Sequence, residues 1–412
     1  MRKVEEYLHL HEVDHWELMN LFLHHFSHAQ NPVPFFYKYQ ANGSPDNLEV
    51  TASENGQIIK VQFSDGFPEA QLLQIEQKIK DTLLTTESSI GADILFCPER
   101  VTGYFRYKEL FQIFPVPEGS PMPNVGFRDY PFLIQFTYKK SSNMTVDYSR
   151  RREKAAIYTR LLNLLCNQKI RLIRNNAQSY WTFDVDETTG KMTSSYRQEG
   201  YTFEGLSLIE SNFTDTSKTE VMGRAPFQKY YTSPGTSSDP LKLPDNIERS
   251  LDRIFSLSEQ DHERFFRACT WYEKGQDIWQ DSASSSFVAL VSAIETLIGE
   301  QTKCESCNQD VPEGLLVCDT CKQPRYQVTK HFKEFLVKHV SDLNTMPKEA
   351  AILYSTRSNL AHGVKLLQQD LKPWSFTMNP IKDDEGRMQR NLFYITSIAI
   401  YNWLWGRTLN KK

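Results

Sequence analysis

Four cysteines carry the clearest chemical signal: Cys304-Glu-Ser-Cys307, ten residues, then Cys318-Asp-Thr-Cys321. Zinc takes four soft or borderline ligands in a tetrahedron, and two facing Cys-x-x-Cys knuckles supply four and leave no open position. The site they predict is structural, with Pro312 and Gly314 suited to the tight loop between the knuckles. A second set is Arg357 and His362, within Tyr354-Ser-Thr-Arg-Ser-Asn-Leu-Ala-His-Gly363. It offers one permanent cation and one side chain that titrates near neutrality. No activated Ser or Cys nucleophile and no paired carboxylates accompany them. That set suits phosphodiester cleavage in which the substrate brings its own nucleophile, as RNA does with its 2′-hydroxyl. His362 would take the 2′-hydroxyl proton or protonate the leaving 5′ oxygen. Arg357 would hold the scissile phosphate and offset charge that develops there. Ser358 or Asn359 could orient either group. The products would be a 2′,3′-cyclic phosphate and a 5′-hydroxyl, with no catalytic metal expected.

These residues need a helix to position them. Leu353, Leu360 and Val364 recur at helical spacing, and Arg357 falls on the same stripe, so 354–363 reads as the middle of a helix. A guanidinium on a core-facing stripe is costly unless it is paired or faces a cleft. Five residues turn a helix by about 140°, so Arg357 and His362 would flank a polar strip of Ser355, Ser358 and Asn359. Gly363 would spare side-chain bulk where another backbone, subunit or ligand comes close.

The string Arg357-Ser-Asn-Leu-Ala-His-Gly363 has the form R-x4-H. An apolar helix precedes it, Phe287-Val-Ala-Leu-Val-Ser-Ala-Ile-Glu295-Thr-Leu-Ile298. Together, over residues 246–412, they resemble the Apea-like branch of the HEPN superfamily. The resemblance implies an all-helical bundle and a metal-independent endoribonuclease. Its cleft would form in a homodimer, from one Arg and one His per subunit. It also implies a role in anti-phage defence by abortive infection, with a phage-derived trigger acting on the N-terminal domain. A second reading stays open. Arg357 would pair with Glu295 across the bundle as a structural bridge, in a non-catalytic module that binds nucleotide, RNA or a protein partner.

Composition places the rest. The chain has 412 residues, long enough for two or three domains, and its net charge of −4 confines any nucleic-acid contact to a local patch. Neither a signal peptide nor a membrane-spanning stretch is legible, so a cytoplasmic protein with no membrane contact is expected. In a reducing compartment the cysteine knuckles read as ligands, and isolated Cys97, Cys166 and Cys269 as core residues.

Residues 1–215 read as a mixed α+β domain. Strands are expected at Phe35–Tyr39, Gln57–Phe63, Tyr104–Phe114, Phe132–Tyr138, Tyr180–Val185 and Tyr201–Ile209, with hairpin turns at Glu54–Gly56 and Asp186–Gly190. Helices are expected over 4–26, 69–82 and 148–174. His11 with His15, and His24 with His28, stand four apart on the first and could share a metal. The third opens Arg150-Arg-Arg-Glu-Lys154, a candidate phosphate grip or a solvated face. Residues 216–245 have linker composition. Residues 246–412 read as helices, with the zinc insertion at 303–325 and a final aromatic stripe of Tyr394, Ile398, Tyr401 and Trp405. No P-loop or dinucleotide turn is present.

Overall fold

The computed structural model describes residues 4–26, 28–40, 47–64, 67, 69–85, 87–122, 129–172, 179–186, 188–198, 201–231, 240–298, 304, 307, 309, 317–323, 328–340, 346–373 and 379–406. The fold is mixed, about 48% helix and 19% strand. Helix α1 (His15–His25) leads into a four-stranded antiparallel sheet of β1 (His28–Val33), β2 (Phe36–Gln40), β3 (Asn47–Ala52) and β4 (Ile58–Phe63). Helix α2 (Glu69–Thr82) buries Leu72, Ile75 and Ile79, which recur every three or four residues, and Ile75 and Ile79 share a small core with α1 and this sheet.

The second sheet is built on β5 (Ser88–Cys97), with β6 (Phe105–Tyr107), β7 (Phe111–Pro115) and β8 (Tyr130–Lys139). Its order is Ile209–Glu210, β5, β8, β7, β6, and Arg171–Leu172 also pairs with β5; every pairing is antiparallel. Across this sheet lies α3 (Met144–Cys166), capped by the Asn143 side chain, which accepts from Thr145 and Val146 N–H. A separate hairpin joins β9 (Ser179–Val185) to β10 (Met192–Gln198) through the expected Asp186–Gly190 turn.

From Ile247 onward the named elements are helices: α4 (Ile247–Phe255), α5 (Glu259–Ile278), α6 (Ala283–Ile298), α7 (Val328–His339), α8 (Met346–Ala361) and α9 (Pro380–Gly406). One continuous core joins both halves, from Leu95 and Phe136 of the sheet through Leu161 of α3 to Phe265, Leu290 and Leu404. Tyr107 donates to Asp252 at 2.7 Å and stacks on Phe255, and Arg160 pairs with Glu273 at 3.0 Å. Parts of 216–245 pack on this core too: Met222, Leu241 and Leu243 are buried, and Leu241 N–H donates to Arg100 O. Among the described residues, no helix is long and apolar enough to cross a membrane.

Several expectations are corrected. The N-terminal helix is not continuous over 4–26: Val4–Tyr7 is one turn, and Asp14 caps a new start, accepting from Glu17 N–H. His11 therefore lies in a turn, and both His15 ring nitrogens are engaged, one with Leu10 O at 2.8 Å and one with Ile58 N–H at 2.9 Å. His24 lies in α1 and His28 in β1, so they do not share a helical face. Helix α3 stops at Cys166 rather than Arg174, because Asn167 adopts the left-handed conformation (φ 45°). The Tyr104–Phe114 strand is broken by a turn, and Tyr201–Ile209 is largely irregular. On α5, Trp271 is exposed, whereas Phe265 is fully buried.

The basic run of α3 faces inward. Arg150 makes a bidentate bond to Glu17 (2.7 and 2.6 Å), Arg151 is buried with Nη1 on Ala92 O, and Arg152 pairs with Asp93 at 2.7 Å. Arg150, Arg151 and Arg152 thus pin α3 to α1 and β5, whereas Lys154 is exposed.

Candidate active site and metal centre

Helix α8 carries Arg357, and α6 carries Glu295. Leu353, Thr356 and Leu360 are buried on the core side of α8, and Arg357 reaches across to α6, where Nη2 donates to Glu295 Oε2 at 2.8 Å. The side chains are 25% and 19% exposed, so the pair is largely but not wholly desolvated. Burial pushes the Glu295 carboxyl above its ordinary value, and the Arg357 charge only partly offsets this. Arg357 Nε is buried without a hydrogen-bond partner. Tyr354, one turn before, packs its ring on Phe332; burial, and then the Glu295 charge, raise its hydroxyl pKa.

His362 does not lie mid-helix. Helix α8 ends at Ala361, and His362 is its C-cap. Gly363 N–H donates to Leu360 O and Val364 N–H to Asn359 O, the two bonds of a Schellman motif. Gly363 sits at φ +68°, and a Cβ there would meet nothing within 4 Å. The left-handed backbone is sufficient reason for glycine here. Val364 falls past the helix end and is exposed.

The chain then runs back along α6. Leu367 N–H donates to Ser284 Oγ at 2.9 Å. The two anchors on α6, Glu295 and Ser284, are eleven residues apart, about 16 Å along the axis. His362 is held between them, exposed, and its ring makes no hydrogen bond among the described residues. Ser358 and Asn359 are half-buried beside it, and their carbonyls accept the closing N–H bonds. Arg357 and His362 are thus neighbours on one helix end, not joined by a hydrogen bond.

Asp370 is a residue the sequence did not flag. Its carboxylate accepts from Ala283 N–H (2.7 Å), Ser284 N–H (2.8 Å) and Ser282 hydroxyl (3.1 Å), capping α6 from far along the chain. Burial opposes its charge, but these donors outweigh that and hold its pKa below the ordinary value. The cap candidates legible in the sequence are Ser282, Ser284 and Ser285, of which Ser282 Oγ accepts from Ser285 N–H.

The four cysteines come together as expected. All four sulfurs lie within 4.8 Å of one another, with Cys304 and Cys318 buried. Cys304 and Cys321 sulfurs are 3.4 Å apart and Cys307 and Cys318 sulfurs 3.5 Å, too far for disulfide bonds. Four thiolates about 2.3 Å from one zinc ion would stand about 3.8 Å apart, so the cluster is near ligating dimensions. The knuckles close alike: Cys304 N–H donates to Gln309 O and Cys318 N–H to Gln323 O, each at 2.9 Å. Backbone N–H groups point at three of the sulfurs: Gln309 at Cys307, Thr320 and Cys321 at Cys318, and Gln323 at Cys321. Such donors stabilise thiolates. The donor set fits a metal ion such as zinc. Pro312, Gly314 and Arg325 lie outside the described residues.

No family model, curated protein or solved structure matches the chain. The HEPN resemblance rests on the strings around Glu295 and Arg357–His362 alone.

Proposed function

We propose that the chain is a metal-independent endoribonuclease whose reacting groups are Arg357 and His362. The observation that carries this is the different state of the two side chains. Glu295 aims the guanidinium, whose remaining donors have no partner among the described residues, while His362 stands exposed on the same helix end with a ring that makes no hydrogen bond among them. In the reaction, His362 accepts the 2′-hydroxyl proton, the 2′ oxygen attacks phosphorus as the bond to the 5′ oxygen breaks, and the imidazolium gives its proton to that leaving oxygen. Arg357 offsets the charge on the phosphoryl oxygens. The ends formed are a 2′,3′-cyclic phosphate and a 5′-hydroxyl. By the resemblance, the cleft is composite across a homodimer of the helical half, and cleavage serves anti-phage defence on a signal received by residues 1–215. The four cysteines hold one structural zinc ion, with every position filled by protein.

The 2.8 Å Arg357–Glu295 bond also favours a second reading, a non-catalytic RNA-binding or interaction module in which the pair only locks α8 to α6. RNA cleavage without added divalent cations, by wild type and His362→Ala, separates the two. Cleavage by wild type alone, with cyclic-phosphate ends, supports the ribonuclease. Equal cleavage by both removes His362 from the chemistry.

A further inference from the structure

A cleft of about 640 Å³ opens where the end of α5 meets the first turns of α9, lined by Trp279, Gln369, Lys382, Asp383, Arg387 and Arg390 around Gly386. That volume is in the range of small-molecule sites. Lys382, Gly386 and Arg390 are four residues apart, so they stack on one face of α9 with the glycine between two cations. Gly386 is buried in a helix, where glycine is unfavourable relative to alanine. A Cβ there would stand 3.2 Å from Gln369 Nε2 and 3.6 Å from Arg390 Nη1, crowding the cleft floor.

The lining is chemically uneven. Arg390 is exposed and has no hydrogen bond or ion pair among the described residues, and the Asp383 carboxylate likewise has none. Arg387 pairs with Asp384, and both are well exposed, so the guanidinium can turn inward at little cost. Lys382 donates to Lys372 O, which fixes its ammonium at the rim. Gln369 Nε2 reaches Lys382 O only at 3.5 Å. Half-buried Trp279 supplies the aromatic surface of the lining among the described residues.

We propose that this cleft binds a nucleoside phosphate. The phosphate sits over Gly386 between Lys382 and Arg390, with Arg387 recruited from Asp384, because guanidinium groups bond phosphate oxygens in pairs. The base lies against Trp279, since aromatic side chains stack on the π-face of any base. Asp383 accepts from ribose hydroxyls or a base amino group, and Gln369 pairs with either. A bare anion would use only the cations and would be repelled by Asp383; the Trp279 wall and the paired acceptor and amide select a ligand with ring and hydroxyls. The lining includes neither Arg357 nor His362, and its occupancy does not rest on RNA cleavage.

The test is titration calorimetry on the full-length zinc-loaded chain with AMP, GMP, CMP, UMP and ATP, with adenosine and inorganic phosphate as partial probes. One nucleotide per chain is expected, bound about tenfold or more tighter than either partial probe. Arg390→Ala and Trp279→Ala should each weaken it about tenfold, while Arg267→Ala, in the exposed Arg267–Glu263 pair of α5, binds as wild type. Arg390 is exposed, so its variant keeps the wild-type melt, and that separates binding from folding. No nucleotide binding by wild type at millimolar concentration, phosphate binding as tightly as nucleotide, or undiminished binding by Arg390→Ala would each overturn the proposal.

Discussion

Arg357 and Glu295 meet between α8 and α6 at 2.8 Å, with a carboxyl that burial holds above its ordinary pKa of 4.5 even beside a guanidinium. Arg357→Ala leaves that carboxylate without its partner. Exposed pairs contribute about 0–1 kcal/mol and broken buried ones cost 3–5, so a cost of about 2 kcal/mol is expected in urea unfolding. The pH dependence has a definite sign. A raised folded pKa means the contribution is full below 4.5 and is lost as pH rises through the folded value. Glu295→Gln, which does not titrate, should therefore gain stability relative to wild type over that rise.

His362 and Gly363 should separate chemistry from folding. His362→Ala keeps the backbone bond to Ser358 O and removes an exposed ring, so stability should stay within about 0.5 kcal/mol while RNA cleavage is lost. Gly363→Ala forces a side chain to φ +68° and should cost about 1–2 kcal/mol, with cleavage per folded molecule retained. Loss of cleavage in both at equal stability would show that the turn itself is needed.

Metal analysis of the purified chain should give one zinc per molecule, released by chelator. Cys318→Ser should lose it and loosen the connection between α6 and α7, read as increased protease cutting between Ile298 and Val328.

Asp370→Asn keeps the shape of the α6 cap and removes its charge, at a cost of about 1 kcal/mol. Because the folded pKa lies below the ordinary 3.8, the wild-type advantage is full above that value and fades as pH falls through the folded one. Acid titration of the two melts, followed by circular dichroism, reads the difference directly.

Arg150→Ala breaks a bidentate bond to Glu17 in which both side chains are 13% exposed, and should cost about 3 kcal/mol. RNA affinity and its salt dependence should not change. A flatter salt slope in the variant would return α3 to the list of phosphate contacts.

What the sequence made legible follows from how local each determinant is. Helix α2 was readable to its ends because one face buries and the other does not. The cysteine cluster was readable because metal coordination is written in spacing. Strand β5 was not, although its last eight residues are all buried. With both faces covered it loses the alternation that marks a strand, and Gly91 and Asp93 disguise it further. The Arg150–Arg152 run misled because its partners Glu17, Ala92 and Asp93 are remote in sequence. His362 was set mid-helix because Gly363 was read for its size, when its place at the end of a periodic run marks a stop.

The shared interior of sheet and helices has a further consequence. A chain severed near residue 245 would turn Ile247, Leu251, Ile254 and Phe265 toward water, all fully buried in the intact molecule. Neither fragment would inherit a finished surface, and each would be prone to aggregate. Under the proposed function, a signal on the sheet side would reach the helices as a repacking of common side chains, across Tyr107–Asp252, Arg160–Glu273 and the Asn163–Gln276 bond between α3 and α5, rather than as the release of a tethered body.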